Sequence, residues 1–171
     1  MKIVLGPGAS GNPLQMEPHA RALRAAGHDV EIVTLPRGKA EAAAPVFAAR
    51  SGPAVVAGGQ SFGGRAASLA AAAGSQFAGL LLFSYPLHPP GKPDQLRTTH
   101  WPQLRLPVLI LMGDRDQFCD MRLLEKELAK LPSARLIVYP GAGHGLKGHL
   151  DRALADATAW LADISQYPQT A

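Results

Sequence analysis

Short apolar runs alternate along this chain with longer, Ala-rich stretches of helical period, and that alternation limits the available folds more than any single motif does. The runs Lys2–Leu5, Val30–Thr34, Ala54–Ala57, Gly79–Phe83, Val108–Met112 and Arg135–Tyr139 have strand length. Several are apolar on both faces, as strands buried in a parallel sheet must be. Between them, Glu17–Ala26, Lys39–Arg50, Phe62–Ala73, Met121–Leu131 and Gly148–Asp163 read as crossover helices. Repeated βα units of this kind predict an α/β fold with three layers, α/β/α, around a mostly parallel sheet of about six strands. At 171 residues the chain is near the length of one typical domain, so residues 1–171 are read as a single unit.

Several boundaries support the scheme. Gly27 follows Arg21-Ala22-Leu23-Arg24-Ala25-Ala26 as a C-terminal cap does, and Asp120 precedes the helical run Arg122–Leu128 as an N-cap does. Pro45 lies inside the second helix, which is therefore expected to start late or be irregular. The stretch from Ser84 to Pro107 holds six prolines and reads as a long loop, with at most a turn of helix around Asp94–Thr98. It leaves the carboxyl end of the fourth strand, the edge at which open α/β sheets hold their ligands.

Composition removes several classes of function. One cysteine, Cys119, excludes an internal disulfide framework and makes the cytoplasm the simplest address. No run approaches the roughly 18 apolar residues of a membrane helix, and Ile3-Val4-Leu5 before Gly6 is too short for the core of a signal peptide. The net charge of +4 comes from scattered arginines and lysines with no stripe or run, and aromatics are 6%, so no nucleic-acid partner is expected.

The third strand runs into Gly58-Gly59-Gln60-Ser61-Phe62-Gly63-Gly64, where a helix begins. Gly59-x-Ser61-x-Gly63 has the form of a nucleophile elbow, in which glycines two before and two after the serine let a tight strand-to-helix turn close and leave Oγ exposed. A chain of this composition would carry about 0.09 such matches by chance, so the flanking strand and helix are what give the motif weight. The helix N-terminus adds positive potential and the Phe62 N–H for a developing oxyanion.

A serine nucleophile needs a base, and the base needs an orienting group. The fifth strand ends Met112-Gly113-Asp114-Arg115-Asp116, and the sixth is followed by Pro140-Gly141-Ala142-Gly143-His144-Gly145, so a carboxylate and an imidazole reach the same sheet edge as Ser61. Asp116 is the preferred acid because the third position after Gly113 points back toward the sheet, with Asp114 as a turn cap and the alternative. His144 is preferred to His149, which falls in the next helix, while His19, His28, His88 and His100 read as surface or loop residues, His88 lying in the long loop near the site.

The segments Gly59-Gln60-Ser61-Phe62-Gly63-Gly64, Gly113-Asp114-Arg115-Asp116 and Gly141-Ala142-Gly143-His144, in the chain order Ser, Asp, His, resemble the α/β-hydrolase superfamily, in particular its small branch related to dienelactone hydrolase. Gly8-Ala9-Ser10-Gly11 and Ser84–Gly91 look like that branch too. The resemblance implies a reduced hydrolase fold without a lid, with Ser61 as nucleophile, Asp116 as orienting acid, His144 as base and the N–H groups of Phe62 and Ala9 as the oxyanion hole. It implies a small ester, thioester or lactone as acyl substrate, with Tyr85 and Leu87 lining its pocket, and neither a metal nor an organic cofactor. Two departures stand out: Pro7 occupies the place of a usual histidine, and the chain begins where the family's third strand would be. A sheet shortened in this way would hide an exposed edge strand by forming a homodimer.

Two other readings remain open at this stage. Gly6-Pro7-Gly8-Ala9-Ser10-Gly11 fits the dinucleotide fingerprint of an NADP-binding oxidoreductase, although Asn12-Pro13 and Pro18 delay the helix that would face the pyrophosphate. The other is a hydrolase-fold scaffold that binds a partner without catalysis.

Overall fold

The computed structural model describes residues 1–166. Six strands, β1 (Lys2–Gly6), β2 (Asp29–Ile32), β3 (Gly52–Gln60), β4 (Phe77–Phe83), β5 (Val108–Gly113) and β6 (Ala134–Tyr139), form one sheet. Their order is β2-β1-β3-β4-β5-β6, and every neighbouring pair is parallel. The helices are α1 (Glu17–Ala25), α2 (Ala40–Ala48), α3 (Phe62–Ala72), α4 (Met121–Glu127) and α5 (Leu150–Gln166).

The uninterrupted apolar runs of β4 and β5 follow from burial on both faces. Leu80, Leu82 and Ile110 point into one cluster with Phe47 of α2 and Ala66, Ala67 and Ala70 of α3. Leu81 and Leu109 point into the other with Leu23 of α1 and Ala157 and Trp160 of α5. Alternate strand residues face opposite sides, so two layers of helix each receive half of every strand. The small alanines of α3 bring that helix close to both the sheet and α2.

From β1 the chain first adds β2 on one side and then returns to place β3 on the other. The crossovers diverge between β1 and β3, which leaves a crevice beyond the carboxyl ends of these two strands. Ser61 follows directly from β3 at this point.

The structure departs from the sequence reading in several places. Strand β3 extends well beyond Ala54–Ala57, since Gly58 and Gly59 continue to pair with both β1 and β4, and Gln60 with β4. Helix α2 starts at Ala40 despite Pro45, because burial of Ala40, Ala43 and Phe47 against α3 outweighs the hydrogen bond that the proline removes. No helix forms at Asp94–Thr98; a single 3-10 turn at Trp101–Gln103 takes its place, set by the burial of Trp101 against Tyr85. Helix α4 gives way to a 3-10 turn at Leu128–Lys130, and α5 begins at Leu150, beyond Gly148, whose φ of 80° is not helical. Gly27 and Asp120 act as expected: Gly27 has φ 88° just past α1, and the Asp120 carboxylate accepts the N–H groups of Arg122 and Leu123. Among the described residues, no helix is long and apolar enough to cross a membrane.

His19 is buried within α1, 5% exposed, so it is not the surface or loop residue that the sequence suggested; His88 lies in the long loop as expected but is equally buried. The ring of His19 meets Phe83 edge-on at 4.7 Å. Burial pushes its imidazole down to about 4, against a smaller upward pull from the Gln15 backbone; burial likewise brings His100 to about 4. The unfolded chain binds a proton at His19 near pH 6.5 and the folded chain only near 4, so this contribution is fully present above 6.5 and is lost as pH falls through about 4. For His19 alone the loss amounts to roughly 3 kcal/mol. Urea denaturation near pH 7 and near pH 4 measures it, and His19→Leu is expected to flatten the difference; an unchanged pH dependence would remove His19 as a source.

Candidate active site

The turn from β3 into α3 is built on a contact between backbones. A Cβ at Gly59 would lie 2.0 Å from the Gly6 carbonyl oxygen, and one at Gly63 would lie 2.1 Å from the same atom. Only glycine at both positions lets the first turn of α3 rest on the end of β1. Between them Ser61 is held at φ 50°, ψ −112°, a region that side chains rarely occupy. Its N–H donates to Phe83 O at 2.8 Å, and its carbonyl accepts the Arg65 N–H at 3.0 Å. Ser61 occupies the N-cap position, yet its side chain makes no cap hydrogen bond. The hydroxyl is turned instead to His144, with Oγ 2.8 Å from Nε2.

The other ring nitrogen of His144, Nδ1, is 2.7 Å from Asp116 Oδ2 and 2.9 Å from Oδ1. A carboxylate only accepts, so Nδ1 carries the proton and Nε2 is free to receive one from Ser61. The Asp116 side chain is wholly buried, and its Oδ1 also accepts the Phe118 N–H at 2.8 Å. The three groups come from the carboxyl ends of three different strands, β3, β5 and β6.

The loops after β5 and β6 are tied to one another. Arg115 N–H donates to Ala142 O at 3.0 Å, and Gly141 N–H donates to Asp114 Oδ1 at 2.6 Å. A Cβ at Gly113 would lie 2.2 Å from Ala142 O, so that glycine is what lets the loops touch. The Asp114 side chain, expected to cap its own turn, thus binds the other loop instead. The two carboxylates of Asp114-x-Asp116 divide the work: one pins the loop that carries His144 and the other holds the imidazole. The sequence reading missed this cross-loop bond, and it also missed Phe118, whose ring lies 4.2 Å from that of His144.

Phe62 is the first residue of α3, where an N–H has no partner within the helix. Ala9 is exposed in the turn closed by the Gly11 N–H to Gly8 O bond of 3.0 Å, just past β1 and across from the end of β3. Tyr85 and Leu87 do not line an open pocket: both are fully buried, and the Tyr85 hydroxyl donates to Arg97 O at 2.7 Å. They fold the long segment after β4 down onto the α2–α3 face. His149 sits one residue before α5, and its ring lies against Tyr139. Cys119 is buried, and burial together with the nearby charges of Asp116 and Asp120 pushes its thiol up to about 12. Beyond Gly11 the chain enters a 3-10 turn at Pro13–Met16 before α1, so no α-helix opens within the glycine motif to face a pyrophosphate. Among the described residues, no group of three or more His, Cys, Asp or Glu is placed to hold a metal ion. A cavity of about 800 Å³ opens at the opposite edge of the sheet, between Lys2, Pro53, Phe77, Pro107 and Ile164, and none of the groups above reaches it.

Residues 35–166 match the model of a family described as an alpha/beta hydrolase domain. Among solved structures, the chain is similar to a monoacylglycerol lipase of Paleococcus ferrophilus, with 15% identity, a TM-score of 0.81 and coverage of 95% of this chain and 94% of that one. It is also similar to esterase 2 of Thermogutta terrifontis, solved as the form phosphoramylated by tabun, with 16% identity, a TM-score of 0.78 and coverage of 95% and 83%. A third is a dienelactone hydrolase of Anabaena variabilis, with 20% identity, a TM-score of 0.79 and coverage of 95% and 85%.

The backbone contact at the turn has a direct test. In Gly63→Ala the new methyl group meets the carbonyls of Gly6 and Pro7, neither of which is a flexible side-chain tip. The substitution is expected to cost upwards of about 2 kcal/mol in chemical denaturation. Gly145→Ala, where nothing lies within 4 Å, serves as the control and should leave the midpoint nearly unchanged.

Proposed function

Because the chain belongs to the alpha/beta hydrolase family, we propose that it is a serine hydrolase that cleaves a small ester, thioester or lactone through an acyl-enzyme on Ser61. The observation that carries this reading is the relay from Ser61 Oγ to His144 Nε2 at 2.8 Å and from His144 Nδ1 to Asp116 at 2.7 Å.

In the first step Ser61 Oγ attacks the acyl carbonyl while its proton passes to His144 Nε2. Asp116, already bonded to Nδ1–H, stabilises the imidazolium that forms. The negative charge on the carbonyl oxygen is taken by the Phe62 N–H, aligned with the dipole of α3, and by the Ala9 N–H from the loop after β1. Collapse of the tetrahedral intermediate breaks the bond to the alcohol or thiol, which leaves with the proton from His144. A water then gives its proton to His144 and attacks the acyl carbon, and a second collapse restores Ser61. No step calls for a metal or an organic cofactor.

One feature supports small, accessible acyl groups, and another supports acyl chemistry in general. The long segment between β4 and β5 is packed against α2 and α3, with Tyr85, Leu87 and Trp101 buried, which supports a site without a lid drawn from that segment. The similar structures include an esterase, a lipase and a dienelactone hydrolase, all named for acyl chemistry.

A fluorophosphonate probe followed by intact-mass and peptide mapping tests the nucleophile. The expected result is one adduct on Ser61, absent in Ser61→Ala; a folded protein that never labels would favour a scaffold role. Asp116→Asn keeps the geometry but offers the imidazole the wrong hydrogen-bonding partner, and is expected to lower kcat by about ten thousandfold. On nitrophenyl esters, acetate should turn over faster than octanoate, and the reverse order would contradict an open, small-acyl site.

A further inference from the structure

The loop that carries Asp116 and Phe118 is held from the long segment after β4 by His88. Its backbone N–H donates to Phe118 O at 3.1 Å. Its ring nitrogen Nε2 lies 2.9 Å from the Asp120 backbone nitrogen, and Nδ1 lies 2.8 Å from Pro89 O. A peptide N–H can only donate and a peptide carbonyl can only accept, so the tautomer is determined: Nδ1 carries the proton and Nε2 presents its lone pair to Asp120. The ring is 5% exposed and both of its nitrogens are used.

The part of the loop that touches His144 lies at the first of these anchor points, Phe118, and just before it, at Asp116. Phe118 donates its N–H to Asp116 Oδ1 and sets its ring against His144, and Cys119 N–H closes the turn onto Asp116 O at 3.0 Å. Asp120 is fixed on its far side by capping α4. The Asp120 N–H is the remaining link, and His88 supplies its acceptor from the segment after β4. We propose that His88 is a positioning residue for the relay, whose neutral Nε2 acceptor fixes the Phe118–Asp120 segment and so sets the Asp116 carboxylate and the face of His144. This rests on the serine hydrolase reading for its catalytic consequence. Its structural consequence does not depend on that reading.

The test compares three variants. His88→Gln keeps an acceptor at the position of Nε2, His88→Asn keeps a polar group but is too short to reach Asp120, and His88→Ala removes both. On nitrophenyl acetate, Ala and Asn are expected to lower kcat by about tenfold or more with KM within about twofold, because a misplaced base slows the chemical step rather than binding. Gln is expected to recover most of the loss. The downfield imidazole proton of His144 in NMR, assigned by its absence in His144→Ala, should weaken or shift in Ala and Asn and persist in Gln, whether or not the protein turns over ester. Wild-type kcat in His88→Asn, or a Gln variant as slow as Asn, overturns the proposal. Should wild-type Ser61 fail to take a fluorophosphonate, the hydrolase reading falls while the His144 proton still reports on His88. If His88→Ala does not fold, Asn against Gln decides.

Discussion

Everything at the carboxyl edge of the sheet depends on how closely β1 and α3 approach. The Gly6 carbonyl lies where side chains on Gly59 and Gly63 would otherwise be, so three backbones pack without intervening carbon. That contact fixes the angle at which α3 leaves β3, and the angle in turn holds Ser61 at φ 50°. A strained residue persists only where its surroundings over-determine it. Here they do so through the hydrogen bond to Phe83, the start of α3 and the weight of the alanine-lined helix against β3 and β4. The hydroxyl is thereby kept from capping its own helix and made available to His144.

The architecture was legible in the sequence because parallel strands buried on both faces must be apolar throughout, and crossover helices must be apolar on one side. The strand pattern survives in single runs such as Leu80–Phe83 and Val108–Met112. Misreadings fell where tertiary contacts outweighed local rules. Pro45 does not delay α2, since the packing of Phe47 lies outside any local window. The turn expected near Asp94 appears instead at Trp101, whose place is set by Tyr85, distant in sequence. Strand β3 continues through two glycines of poor strand propensity because neighbours on both sides supply its hydrogen bonds.

The Ser61, Asp116 and His144 positions could be read from spacing relative to strand ends, a quantity that the chain itself encodes. What could not be read is how the loops are braced against each other. Asp114 looks like a turn residue and His88 like a loop residue, because their partners, the Gly141 N–H and the Asp120 N–H, are backbone groups that every residue has. Nothing in a side-chain pattern marks which of them will be met. Tyr85 and Leu87 illustrate the converse: nearness to a site in sequence suggests a lining role, whereas their size and apolar surface commit them to the core.

Cys119 sits in the brace beside Asp116, buried among negative charges that keep its sulfur protonated. The thiolate is the form that reacts with electrophiles, so the chain's one cysteine is chemically quiet at the pH where a serine relay would operate. An acylating or phosphonylating reagent therefore meets little competition from sulfur on the folded protein. In the unfolded protein the same thiol becomes an ordinary one, so alkylation of Cys119 counts molecules that have lost the brace, and a second reagent aimed at Ser61 counts those that have kept it.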